Sequence, residues 1–140
     1  MTDLLALFET QRAAQAARRR DFGLRERLAA LDALRGAVLR HRPQIIAALA
    51  ADFAKPETEV VLTEILPVLQ EISHTRRHLR RWMRARRVWP TLTTLGTSGR
   101  VQPEPRGQVL IIAPWNYPLV LALGPLVSAL AAGNSAIVKP

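Results

Sequence analysis

The sequence has no cysteine, which rules out disulfides, thiolate metal sites and a cysteine nucleophile anywhere in its 140 residues. Aromatic side chains are scarce as well, at 5%. Only Trp82 and Trp89 lie near the arginine-rich segment Arg76 to Arg87, and no recognisable nucleic-acid-binding motif accompanies the charge. The glycine-rich dinucleotide fingerprint and the Walker loop are both missing, so spacing alone assigns no nucleotide site. The opening residues Met1-Thr2-Asp3-Leu4 lack the basic start, apolar core and small-residue cleavage site of a secretory signal, and the expected compartment is the cytoplasm. Between Gly107 and Val138 no side chain is charged.

An uncharged run of that length invites a membrane test, because about 20 apolar residues can cross a bilayer as one helix. Pro114, Trp115-Asn116, Pro118 and Gly124-Pro125 break it up, and an amide in hydrocarbon is costly. A buried βαβ unit is the better reading, and no membrane span is expected. Charge is gathered elsewhere. Basic residues outnumber acidic ones by 20 to 11, a net charge of +9, and arginine clusters at Arg18-Arg19-Arg20, Arg25 to Arg42 and Arg76 to Arg87. Such an excess attracts nucleic acid or an anionic surface. Without a binding motif it reads instead as solvated helix faces, and no nucleic-acid partner is expected. A non-enzymatic basic helical module that binds nucleic acid or a partner chain stands as the alternative. Apolar residues at 49% and charged residues at 22% are globular composition.

Periodicity divides the chain into a helical segment over 1–87, a β-hairpin or linker over 88–106, and a βαβ unit beginning at 107. Leu4 to Arg20 reads as a first amphipathic helix, interrupted by Asp21-Phe22-Gly23. Leu24, Leu28, Leu31, Leu34 and Val38 form one stripe of a second helix, which ends near Arg40. His41-Arg42-Pro43 starts a third, with Ile45, Ile46, Leu49 and Phe53 on its buried side, and Lys55-Pro56 ends it. Thr58 to about Arg86 is the longest helical stretch, with Val61, Ile65, Val68, Ile72, Leu79 and Met83 on related faces. Pro67 predicts a kink within it near Thr63 to Pro67. Val88 to Arg106 is rich in Thr, Gly and Pro, as turns and edge strands are. Gln108 to Ala113 has the β-branched content of a strand buried on both faces. Leu119 to Ala132 then reads as helix, Gly133-Asn134 as its stop, and Ser135 to Val138 as a second, parallel strand.

That order puts Asn116 at the carboxyl end of a parallel strand, where open α/β sheets bind ligands. Its amide can donate to an oxygen that gains negative charge. Equally, its side-chain oxygen can cap the following helix, and spacing alone favours the cap. Lys139 follows an apolar strand, where an ammonium can meet ribose hydroxyls or a phosphate or can be an ordinary surface lysine. His74 and His78, four apart, lack a third ligand partner. They read as helix-surface histidines, and with His41 they define no metal site.

Two blocks carry a resemblance. Pro105 through Pro118, reading Pro-Arg-Gly-Gln-Val-Leu-Ile-Ile-Ala-Pro-Trp-Asn-Tyr-Pro, and Ala131 through Pro140, reading Ala-Ala-Gly-Asn-Ser-Ala-Ile-Val-Lys-Pro, resemble the cofactor-domain entrance of the aldehyde dehydrogenase family at its mutual spacing. Leu62-Thr63-Glu64-Ile65 through Trp82-Met83 is similar to that family's class 3 and coniferyl-aldehyde branch. The resemblance implies an α/β fold: a helical N-terminal segment, a β-hairpin and the first βαβ part of a Rossmann-like cofactor domain, left incomplete. It implies oxidation of an aldehyde to a carboxylic acid with NAD or NADP, by attack of a cysteine thiolate, hydride transfer and hydrolysis of a thioester. Asn116 matches the family's oxyanion donor and is the catalytic candidate. Lys139 matches the lysine that contacts the adenosine ribose or an NADP phosphate, and Ile112, Ala113, Pro114 and Trp115 match the lining of the cofactor's path. Full-length members are expected to be homo-oligomers. The family's cysteine, glutamate base and pyrophosphate turn all lie beyond the matching residues, so these 140 residues read as a fragment expected to be inactive alone.

Overall fold

A computed structural model describes residues 4–140. Helices α1 (Leu4–Ala13), α2 (Gln15–Asp21), α3 (Leu24–Arg40), α4 (Arg42–Phe53) and α5 (Glu57–Val60) come first. A π-helical turn, Val61–Ile65, joins α5 to α6 (Leu66–Trp82). Strands β1 (Arg86–Val88) and β2 (Gly99–Val101) form an antiparallel hairpin, with a short 3₁₀ turn at Leu92–Thr94 between them. Strand β3 (Gln108–Ile112), helix α7 (Pro118–Ala132) and strand β4 (Ser135–Lys139) complete the chain as a βαβ unit whose strands pair in parallel.

The expected kink takes the form of the π turn. Pro67 has no N–H to give and crowds the turn before it, and an extra residue in that turn relieves both conflicts. The turn also shifts the helix register, and the residues that become buried are Val60, Glu64, Ile65, Val68, Ile72, Thr75 and Leu79. The first predicted helix is divided at Ala14 into α1 and α2.

One apolar core joins the two compositional parts. Leu31 and Val38 of α3, Leu49 of α4, Val60, Ile65, Val68, Ile72 and Leu79 pack with Val127 and Ala131 of α7. Helix α7 thus lies between the helical segment and its own strands, in contact with both. The expectation that β3 is buried on both faces does not hold here. Ile111 is buried, but Leu110 and Ile112 on the opposite face are 63% and 66% exposed. The physical reason is layering: α7 covers one side of a two-stranded sheet, while α1 meets the other side at Gln108, at the start of β3, and leaves Leu110 and Ile112 open. Among the described residues, no helix is long and apolar enough to cross a membrane.

Candidate functional site

Because β3 and β4 run parallel, their carboxyl ends emerge at one edge of the sheet. The register pairs Ile112 with Lys139, and the Ala113 amide donates to the Lys139 carbonyl at 3.0 Å. Ile112 and Ala113 are therefore brought beside Lys139, and Pro114 and Trp115 follow in the turn that leaves β3. Ala113 is buried, whereas Ile112, Pro114, Trp115 and Lys139 are exposed. Asn116 stands next in the turn, also exposed.

Asn116 is not the cap of α7. The N-cap residue is Tyr117, whose side chain makes no capping hydrogen bond. The cap comes from the π turn instead: Glu64 Oε2 accepts hydrogen bonds from the Leu119 and Val120 amides, both at 3.1 Å. A carboxylate there satisfies two of the helix's free donors and faces the positive end of its dipole. Within the described residues, Asn116 is hydrogen-bonded only through its backbone carbonyl, and its side-chain amide is left facing solvent.

Glu64 is fully buried, and its charge is balanced by Lys55, whose side chain is only 10% exposed. Ala54 ends α4 in the left-handed conformation, at φ 53°, and the next residue is Lys55. Lys55 Nζ donates to Glu64 Oε1 at 2.8 Å and to the Asn116 carbonyl at 3.3 Å, and lies 4.2 Å from the centre of the Tyr117 ring. Sequence reasoning missed both residues. The available signal was the spacing of Glu64 with Val60 and Val68, which places one acid on an otherwise apolar stripe.

The other end of α7 is met by cations. Gly133, at φ 87°, ends the helix, with Gly133 N–H donating to Leu130 O and Asn134 N–H to Ala129 O, a Schellman arrangement. Arg27 Nη1 donates to Ala131 O at 2.9 Å and Arg18 Nη2 to Asn134 O at 3.1 Å, both favourable at the negative end of the dipole. Burial lowers both guanidinium pKa values from their ordinary range, and for Arg27 the charge of Arg18 adds to the effect. These two arginines are therefore not the solvated charges that the sequence suggested. Asn134 is buried, and its Oδ1 accepts from Gly107 N–H at 2.8 Å, tying the residue before β3 to the residue before β4.

With its first amides given to Glu64, the N-terminus of α7 is closed to a phosphate. The exposed ammonium of Lys139 at the strand end remains suited to a ribose or a phosphate. The His74 and His78 rings meet at a tilt, 4.3 Å between centres, and His78 stacks on Trp82 at 5.6 Å. Among the described residues, no three histidines or carboxylates converge as metal ligands would.

Comparison with known proteins adds to this geometry. A family model described as the aldehyde dehydrogenase family matches residues 5–140. Aldehyde dehydrogenase family 3 member A2 of Rattus norvegicus is 48% identical over 117 residues, which are 84% of this chain and 24% of that protein. A probable coniferyl aldehyde dehydrogenase of Pseudomonas aeruginosa is 38% identical over 140 residues, covering 99% of this chain and 29% of that protein. The solved structure of the substrate-bound state of Staphylococcus aureus AldH superposes with a TM-score of 0.93 at 34% identity, covering 100% of this chain and 30% of the other. The chain thus spans a quarter to three tenths of the length of these relatives.

Proposed function

Because the chain belongs to the aldehyde dehydrogenase family, we propose that its residues form one wall of a catalytic centre that oxidises an aldehyde to a carboxylic acid with NAD or NADP. The observation that carries this reading is the division of labour at the start of α7. Glu64 takes the capping role, and the Asn116 amide is left free at the carboxyl edge of the sheet.

When a nucleophile attacks an aldehyde, negative charge grows on the carbonyl oxygen. Asn116 Nδ2 donates a hydrogen bond to that oxygen and stabilises the charge as it forms. The nucleophile itself, a thiolate in the family resemblance, is not among these cysteine-free residues. Lys139 offers its ammonium to ribose hydroxyls or to an adenosine phosphate, and Ile112, Ala113, Pro114 and Trp115 form the adjoining surface. When bound, the nicotinamide cofactor supplies the hydride acceptor.

A chimera tests the proposal, with these residues replacing the corresponding share of the Staphylococcus aureus protein. Aldehyde-dependent formation of NADH or NADPH is expected from the chimera and not from the 140-residue chain alone. Asn116→Ala in the chimera is expected to lower kcat about a hundredfold to a thousandfold, with a smaller effect on KM. Full activity in that variant, or a folded but inactive chimera beside an active parent, would overturn the reading.

A further inference from the structure

We propose that Lys55 and Glu64 are a positioning pair for Asn116, holding the turn between β3 and α7 so that the amide is presented in one direction. The catalytic meaning of the pair rests on the reading of Asn116 given above. Its structural basis is independent of that reading.

The turn Ala113–Tyr117 is fastened at both ends. At its start, Ala113 N–H is bound by the Lys139 carbonyl. At its end, Lys55 Nζ grips the Asn116 carbonyl at 3.3 Å and faces the Tyr117 ring, while Glu64 holds the Leu119 and Val120 amides. Two of the three ammonium N–H groups of Lys55 are thereby accounted for, one by Glu64 and one by Asn116. The aromatic face adds a cation–π contact.

Charges this well buried are costly unless each meets its partner, and removing one strands the other. The pair therefore has one arrangement of low energy, and that arrangement passes through the backbone of Asn116 itself. An oxyanion donor works only when its direction is set before the charge develops, to within about 0.5 Å. Among the described residues, the Asn116 side chain has no hydrogen-bond partner to set it. Its backbone is the route by which Lys55 and Glu64 act, and neither residue needs to touch substrate.

The composition makes a selective test available. Asn116 and Asn134 are the only asparagines, Lys55 and Lys139 the only lysines and Tyr117 the only tyrosine. With lysine labelled with ¹⁵N at Nζ, the unsubstituted chain is expected to give a persistent ammonium signal from Lys55, with NOE contacts to the Tyr117 ring. Lys139, which is exposed, should exchange too fast to be seen. With asparagine labelled with ¹⁵N, Lys55→Met and Glu64→Gln are each expected to move or broaden the Asn116 signals and to leave those of Asn134 in place. In both variants the Leu119 and Val120 amides should exchange about tenfold faster, as expected for a weakened hydrogen bond, relative to the Ile72 amide. Lys55→Arg should restore part of the protection. If a single variant unfolds, the double variant Lys55→Met with Glu64→Gln, which strands no charge, is read in its place. Absence of the Lys55 signal in the folded chain, or unchanged Asn116 signals in the folded variants, would overturn the proposal. These readouts involve no oxidation, so an inactive chimera with the expected spectra would sink the functional reading and leave the positioning pair standing.

Discussion

At the scale of single residues, the informative groups are the buried and half-buried polar ones. Glu64, Lys55, Arg27, Arg18 and Asn134 each use a side chain to hold the backbone of the βαβ unit. Asn116, among the described residues, binds only through its backbone carbonyl. A side chain with no partner contributes little to folding. Asn116→Ala is therefore expected to change the stability of the chain by less than about 0.5 kcal/mol, as at other exposed sites. If Asn116 were the helix cap, the same change would cost about 1 kcal/mol. Urea unfolding of the two chains distinguishes these outcomes.

At the scale of elements, α7 is the pivot. It is uncharged, carries Gly124 and Pro125 inside it, and lacks a side-chain cap of its own. Propensity alone would make it a poor helix. What holds it is external: apolar packing against α3 and α6, a carboxylate at its first turn and two guanidiniums at its last. Gly133 joins these effects, since its positive φ suits glycine and a Cβ added there would come within 2.5 Å of Arg27 Nη2. Gly133→Ala is accordingly expected to cost about 1–3 kcal/mol, combining backbone strain with displacement of Arg27. Chemical denaturation reads this directly, and an unchanged midpoint would show that neither effect operates. The π turn belongs to the same level. The sequence located the disturbance through Pro67, but the direction in which the residues before it point depended on how the helix absorbed the missing donor.

For the whole molecule, the shared core decides how the parts behave. Val127 and Ala131 of the uncharged part sit in the same cluster as Ile72 and Leu31 of the helical part, so neither can lose its packing alone. Ile72→Ala is expected to destabilise the chain by about 2–5 kcal/mol. The loss should appear equally at Trp115, in the distant turn, when its fluorescence is isolated by replacing Trp82 and Trp89 with Phe. Separate transitions for Trp115 fluorescence and helical circular dichroism would contradict a single core. The basic charge also changes meaning at this scale. Part of it is turned inward onto α7, and the family match over residues 5–140 sets aside the reading as a free-standing basic module.

By itself, the sequence determined the order of helices, hairpin and βαβ unit, and which residues meet at the carboxyl edge of the sheet. Those follow from local spacing: apolar stripes, a β-branched run, and prolines and glycines at the breaks. The blocks around Asn116 and Lys139 were legible for the same reason, since each is a short contiguous motif. That Asn116 is left out of the capping role was decided only by tertiary structure. That choice depends on Glu64, 52 positions earlier, being rotated inward by a π turn and balanced by Lys55 at the end of another helix. The spacing of Glu64 with Val60 and Val68 sets an acid on an apolar stripe, but the Lys55 ammonium and the α7 amides that partner it come from elements distant in sequence. Spacing along one chain carries no record of those partners, because the cost of an unpaired charge and the gain of a capped helix arise only when separate elements meet.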